Sequence, residues 1–370
     1  MTSELRKTIR RAGGRHRAAI MLPVLLAGCV SPSAPQRVST PTPPVRVVQP
    51  RVVPPGATPR PPAMLLSELE RLGRGFDGVV GIAVRDVQAG WSVSWNGTGR
   101  FPQQSVSKLW VALTLLDAVD RGTLRLEDPI TVRRSDLTLF HQPVRAMMGP
   151  DGFTTSIRNL LTIAMTQSDN TANDVLLQRV GGPSAVRAFF TRASISGIAF
   201  GPGEKLLQSR IAGMEWKPEY AGGQGWLVAR AALPLEVRRA ALERYLADPM
   251  DGAQPEGMVA ALARLRKGDI LSPGSTQVLL SIMAQSKTGP QRLKGGLGEN
   301  WAFAHKTGTG QELGSLATGY NDVGLLTAPD GRTFAVAVMI ASTRQPIWAR
   351  MQLMQNVTRA VVSFAGARPS

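Results

Sequence analysis

From Ala63 onward, apolar positions recur in patterns that predict an ordered series of elements. Met64, Leu65, Leu66, Leu69 and Leu72 fall at helical spacing and predict a helix over 63–72. Residues 79–84 and 91–95 read as paired strands around the turn residues Ala89-Gly90. Helical spacing dominates from Ser105 to about Ala263. Strand patterns return at 301–305, 316–326 and 333–340, the last two joined by Ala328-Pro329-Asp330-Gly331, whose Pro presets φ and whose Gly tolerates a left-handed turn. A final helix is expected over 347–364. No internal repeat is evident. Strands contributed by both ends of the chain, with helices between them, predict an α+β fold: an antiparallel sheet flanked by helices in an α/β sandwich, with an inserted all-helical subdomain and a cleft where the two layers meet.

The first 62 residues follow a different pattern. Six basic residues lead into an apolar run over 18–27, too short to span a bilayer as a helix and bounded by small residues, as in an export signal. The run ends Leu25-Leu26-Ala27-Gly28-Cys29, which resembles a bacterial lipobox. Cys29 is the single cysteine of the 370 residues, so no intramolecular disulfide exists and the only thiol stands where lipidation would use it. The expected division is a signal peptide over 1–28, a lipidated Cys29 with a tether over 29–62, and one catalytic domain over 63–370. Between Val30 and Pro62, 11 of the 27 prolines fall in 33 residues without one acidic side chain, a composition that favours extended polyproline conformation and cannot bury a core. A periplasmic, cell-envelope location on a lipid anchor in a bacterial membrane follows as an expectation, as does contact of the tether's four arginines with headgroups or cell-wall polymer such as peptidoglycan.

Charge changes little beyond this. The net charge of +17 suggests nucleic acid until it is divided. Residues 1–62 carry ten basic side chains and one acid, net +9, leaving +8 on the other 308 residues. No nucleic-acid partner is expected. Three histidines and one cysteine also make a multi-histidine metal site a poor expectation, and neither metal nor cofactor is called for.

Three short motifs carry the chemistry. Ser105-Val106-Ser107-Lys108 opens the apolar run 109–116, so Ser105 lies near a helix start with Lys108 one turn away, its amine within reach of the hydroxyl. The helix start also offers backbone N–H groups to a developing oxyanion. Ser168-Asp169-Asn170 lies between two helical stretches, where a hydroxyl and a carboxamide two residues apart can face one space; an N-cap or Asx turn is the other use of such a triplet. Lys306-Thr307-Gly308-Thr309-Gly310 ends a strand-like segment, where a lysine and a hydroxyl can bind a carboxylate. A second copy, Lys287-Thr288-Gly289, follows a helical pattern and runs into Pro290, so it reads as a helix stop, and the Lys306 copy is preferred.

In this order the motifs resemble those of the penicillin-recognising serine hydrolases, class A β-lactamases among them. The resemblance extends over most of 63–370 and implies the sandwich with its helical subdomain. It also implies an acyl-enzyme on Ser105, backbone N–H groups of Ser105 and Thr309 at the oxyanion, and Lys108 and Glu204 as bases in acylation. Ser168 would return the proton to the leaving nitrogen, Asn170 would hold the substrate side-chain amide, and Lys306 with Thr307 its carboxylate. Gly181-Gly182 follow Ser168 by 13 and 14 residues and Glu204 follows it by 36, a register similar to class A. Glu204-Lys205-Leu206-Leu207-Gln208 resembles the segment that directs the deacylating water, with Gln208 one methylene longer than the usual asparagine.

Three departures stand out. Between Gln208 and Asp251, which with Pro255 resembles the end of the family's omega loop, lie 42 residues where the family has far fewer. This insertion, about 209–250, includes Gly222-Gly223-Gln224-Gly225-Trp226 and a helix-like run 235–246, and is expected to form a lid or side wall. Pro202-Gly203 replaces the arginine that anchors the family's loop, so rigidity must come from elsewhere. No arginine follows Lys306 until Arg332; Arg344 is only a weak substitute for the missing strand arginine, and His305 is expected to pack on the opposite strand face. The implied activity is opening of a β-lactam ring by a monomeric serine hydrolase. The alternatives are a D,D-peptidase acting on peptidoglycan, which would not depend on Glu204, and a non-catalytic cell-wall-binding lipoprotein, against which the full set of motifs argues.

Overall fold

The computed structural model describes residues 61–367; the expected export signal, Cys29 and all but the end of the tether lie outside the described residues. Helix α1 (Ala63–Arg74) leads into β1 (Gly78–Asp86) and β2 (Ser92–Trp95). A short strand β3 (Phe101–Pro102) precedes α2 (Lys108–Asp120). The hairpin of β4 (Pro129–Val132) and β5 (Phe153–Ser156) precedes α3 (Ile157–Thr166), α4 (Asn170–Arg179), α5 (Gly182–Arg192) and α6 (Glu204–Ile211). There follow α7 (Gln224–Ala232), α8 (Leu235–Ala247), β6 (Gly252–Ala253), α9 (Pro255–Lys267) and α10 (Pro273–Ala284). The chain closes with β7 (Ala302–Gly308), β8 (Glu312–Leu313), β9 (Leu316–Thr327), β10 (Thr333–Thr343) and α11 (Ile347–Gly366).

The principal sheet is antiparallel in the order β2-β1-β10-β9-β7, with β8 paired to β9. Its central strand β10 is covered on both faces, which is why its sequence is a continuous apolar run rather than an alternation. The two faces differ in size. Val336, Val338 and Ile340 pack with Leu69 of α1 and Met354 and Val357 of α11. Ala335 and Ala337 face the other way, into the cluster holding Met258 and Leu262 of α9. Small side chains let that helix lie close, and each large one, fully buried, contributes about 1.5–3 kcal/mol.

The helical layer is built around α2, in which every residue from Lys108 to Leu116 is buried. A helix apolar on all sides must be enclosed, and its neighbours α3, α4, α5 and α10 do so. The predicted α+β sandwich is therefore the observed fold. Sequence periodicity missed the β4–β5 hairpin and the opening of α6 at Glu204, both inside the stretch read as helix and loop.

The insertion is a pair of helices with two anchors. On one side Trp226 of α7 packs with Leu139, Ala212, Met214 and Tyr220, and meets Phe140 edge-on with ring centroids 4.9 Å apart. On the other, Leu242 and Tyr245 of α8 pack with Leu207 and Ile211 of α6 and against Leu313 and Leu316. These contacts fasten both helices of the insertion to the rest of the domain.

Candidate functional site

Ser105 stands in a 3₁₀ turn, Gln104–Ser107, that feeds directly into α2. The turn is held from outside. Gln103 Nε2 donates to the carbonyls of Ala199 (2.8 Å) and Asp251 (2.6 Å), its Oε1 accepts from Trp110 Nε1, and Gln104, at φ 53°, donates its N–H to Asp251 Oδ2 (2.8 Å). A left-handed non-glycine residue is uncommon and here directly precedes the nucleophile candidate.

Lys108 lies one turn along, 1% exposed. Its ammonium donates to Ser105 Oγ (2.9 Å), to Asn170 Oδ1 (2.8 Å) and to Glu204 Oε1. Serine, lysine and glutamate thus form one continuous hydrogen-bonded chain beneath the cleft. A buried charge at 1% exposure requires such a partner.

Glu204 is placed by α4 and its own helix. Gly203, at φ 97°, turns the chain so that Glu204 becomes the first residue of α6. Asp174 of α4 accepts from the backbone N–H of Glu204 (2.9 Å) and of Lys205 (3.2 Å), capping the helix. Its carboxyl is pushed up to about 6, first by burial and then by the Glu204 charge. This cap supplies part of the rigidity that the missing arginine leaves to other groups. Asp251 adds to it, its carboxylate taking the Gln104 N–H and the Tyr245 hydroxyl. Gln208 lies one turn beyond Glu204, its Nε2 at 3.3 Å from Glu204 Oε2.

Ser168, at φ 61°, and Asn170 flank Asp169, which caps α4 through Ala172 N and also accepts from Val144 N (2.6 Å). Both expected uses of the triplet are present: the aspartate caps, while its neighbours face the cleft. Asn170 Nδ2 is tied to the Leu139 carbonyl (2.9 Å), so its amide orientation is set from both ends.

Lys306 and Thr307 lie within the edge strand β7 rather than beyond its end. Lys306 Nζ donates to Ser168 Oγ and to the Thr307 carbonyl, each at 2.8 Å. Burial, reinforced by the Lys108 charge, holds its amine well below the usual lysine range. A Cβ on Gly308 would overlap the Gln103 carbonyl, so glycine lets β7 approach the Ser105 turn. His305 points to the opposite face as expected, its Nδ1 2.8 Å from Asp322 Oδ1 and its ring stacked on Phe303.

A cleft of about 510 Å³ opens over these groups, lined by Ser105, Ser168, Asn170, Gln208, Thr307 and Thr309 among the sequence-derived candidates. Sequence reasoning missed Phe140, His141, Arg292 and Gln311 in the same lining. Arg292 is the arginine of this lining. It reaches in from the turn before β7, donating to the Gly308 (2.8 Å) and Asn321 (2.7 Å) carbonyls and to Thr309 Oγ1 (2.6 Å), with its guanidinium 3.8 Å from the Tyr320 ring centre. Arg344 instead donates to Ser315 Oγ and is absent from the lining. The Lys287-Thr288-Gly289 copy does follow the end of α10, yet Thr288 and Gly289 also line the cleft, and Thr288 Oγ1 is 2.6 Å from Thr307 Oγ1. Among the described residues no cluster of His, Cys, Asp and Glu could hold a metal ion, and no helix is long and apolar enough to cross a membrane.

A nucleophile-bearing helix start, a buried lysine–glutamate pair and a lysine on an edge strand define a serine acyl-transfer site between a sheet and a helical layer. The chain belongs to the β-lactamase enzyme family, whose profile matches residues 64–365. It is 26% identical to β-lactamase VEB-1 of Pseudomonas aeruginosa over 301 residues, covering 81% of this chain and 90% of that protein. It is also 26% identical to the extended-spectrum β-lactamase PER-1 of the same organism, over 81% and 87% of the two chains. Among solved structures, the TLA-1 extended-spectrum β-lactamase superposes with a TM-score of 0.68 at 25% identity, over 82% of this chain and 99% of that one. An ancestral class A β-lactamase superposes at 0.63 with 30% identity, over 81% and 99%. The family is thus class A.

Proposed function

We propose that the protein is a class A serine β-lactamase that opens the lactam amide through an acyl-enzyme on Ser105 and releases it by water activated at Glu204. The observation that carries this reading is Lys108 in simultaneous contact with Ser105 Oγ, Asn170 Oδ1 and Glu204 Oε1. A D,D-peptidase would have no need of a buried carboxylate in that position.

In acylation, Lys108 passes one of its protons to Glu204 and takes that of Ser105 as Oγ attacks the lactam carbonyl. The backbone N–H groups of Ser105 and Thr309 hold the oxyanion, where preorganised donors act most strongly. As the C–N bond breaks, Ser168 passes its proton to the leaving nitrogen and regains one from Lys306, whose Nζ already contacts it and is held as an ammonium by the bound substrate carboxylate. Burial disfavours the charged form of that amine, so a substrate carboxylate, held by Lys306 and Thr307 with Arg292 alongside, brings the countercharge the site lacks. Asn170 holds the substrate side-chain amide. In deacylation Glu204, its acylation proton released to solvent, takes a proton from a water oriented by Gln208; as the water oxygen bonds to the acyl carbon the ester C–O bond breaks, and the proton passes through Lys108 to Ser105 Oγ. We further propose that the enzyme works in the cell envelope, anchored at Cys29, a reading supported by the lipobox-like segment and the proline-rich tether.

The test is a nitrocefin time course with the purified protein beside Ser105→Ala and Glu204→Gln. Steady turnover is expected in the parent, none in Ser105→Ala, and a loss of about two to four orders of magnitude in Glu204→Gln, the usual weight of a general base. A single stoichiometric burst in the parent, unchanged by Glu204→Gln, would overturn the reading in favour of the peptidase.

A further inference from the structure

The insertion that sets this chain apart also reaches the deacylation machinery. Tyr245 of α8 is 4% exposed, with its ring packed among Leu207, Ile211 and Leu242. Its hydroxyl is 2.8 Å from Asp251 Oδ1 and 2.6 Å from Gln104 Nε2. Gln104 Oε1 lies 3.0 Å from Gln208 Nε2, which lies 3.3 Å from Glu204 Oε2. We propose that Tyr245 is a positioning residue for deacylation: its hydroxyl sets the orientation of Gln104, and through Gln208 that of the Glu204 carboxylate. The proposal rests on the β-lactamase reading above.

The argument is one of donor and acceptor direction. A carboxamide flipped by half a turn fills the same volume, so packing cannot choose between its two orientations and only its neighbours' hydrogen bonds can. The Asp251 carboxylate accepts, so the Tyr245 hydroxyl spends its single proton there and presents a lone pair to Gln104. Gln104 must then turn its NH₂ toward Tyr245 and its oxygen toward Gln208. That oxygen fixes the NH₂ of Gln208, whose second proton faces Glu204 Oε2. Gln311 Nε2 closes the far end, donating to the Gln208 side-chain oxygen (3.1 Å) and backbone carbonyl (2.8 Å). Lys108 holds only one oxygen of Glu204, so the remaining rotation of the carboxylate is set by Gln208. The glutamine at 208, longer than an asparagine by one methylene, spans the gap to Gln104.

Tyr245→Phe keeps the ring and removes the hydroxyl. Acylation, which uses Lys108 and the other Glu204 oxygen, is expected to stay at the parent rate. Deacylation is expected to slow about tenfold, as small losses of geometry at a reacting group do. With nitrocefin, kcat and KM should then fall together with kcat/KM unchanged, and intact-mass measurement during turnover should show acyl-enzyme accumulating. Gln104→Leu breaks the same path and should give the same split; if both variants fold, the double variant should be no slower than either single one, because they interrupt one chain. Leu242→Ala loosens the same cluster without touching a hydrogen bond and should leave the ratio of acylation to deacylation unchanged.

Deacylation at the parent rate in both Tyr245→Phe and Gln104→Leu overturns the proposal, as does equal acyl-enzyme accumulation in Leu242→Ala, which would assign the effect to packing. Failure of the underlying reading looks different: the parent would not turn over nitrocefin, or Glu204→Gln would not accumulate acyl-enzyme.

Discussion

Asp251 lies 1% exposed beneath the Ser105 turn, and burial pushes its carboxyl from 3.8 up to about 6 despite the hydrogen bonds from Gln104 N and the Tyr245 hydroxyl. Between those two values the native protein holds a proton that the unfolded chain has released. Unfolding free energy therefore falls as pH rises through this window: the stability is fully present below 3.8 and lost once pH passes about 6. A displacement of that size corresponds to about 3 kcal/mol. In a domain of about 300 residues, 1 kcal/mol moves Tm by ~1.5–2 °C, so Asp251 alone accounts for a fall of ~5 °C. Asp174, also raised to about 6, acts with the same sign. Lys306 acts with the opposite sign, its contribution rising with pH between its lowered value and the ordinary lysine range. Calorimetry of the parent and Asp251→Asn from about pH 4 to pH 7 isolates the effect. The variant loses one acceptor and starts lower by about 1 kcal/mol at the low-pH end of the window. Its decline across the window should be shallower than the parent's by ~5 °C. Parallel curves separated by a constant would refute the reasoning, because they would mean that Asp251 does not change protonation on folding.

Two further outcomes follow from Arg292 and from Trp226 behind Phe140. Arg292→Ala should lower kcat/KM about 10- to 100-fold, mainly through KM, and Arg292→Lys should recover little, since an ammonium cannot serve the Gly308, Asn321 and Thr309 oxygens in the planar arrangement of a guanidinium; steady-state kinetics with parent-like values for the lysine variant would contradict this. Trp226→Ala removes the buried anchor of α7 and should cost about 3–5 kcal/mol, while Trp226→Phe stays nearer the parent. Limited proteolysis should cut the alanine variant first within 212–234, and KM should rise as Phe140 loses its edge-on partner; an unchanged digestion pattern would show that the insertion is held by other contacts.

What the sequence determined by itself is what lies within a few covalent steps. The elements of the sheet and the final helix follow from apolar spacing, because strand and helix each have a fixed period. Ser105 and Lys108 are legible as a pair because one helical turn separates them, and Ser168 with Asn170 because two residues do. Glu204 was reachable only through its register with Ser168, and Lys306 only through strand context. The tertiary structure alone decided how these pieces meet. Ser168 and Lys306 are 138 positions apart and touch because β7 lies at the sheet edge facing the helical layer. Arg292 escaped notice because it enters from the turn before the strand, where nothing in local spacing marks it. Asp174 escaped because a carboxylate on one helix that caps another has no sequence period at all. The insertion was visible as extra length, but its anchoring, and the reach of Tyr245 to Gln104, depend on where α7 and α8 pack. Periodicity records which face of an element is buried; it does not record which other element does the burying, and the site is made at those contacts.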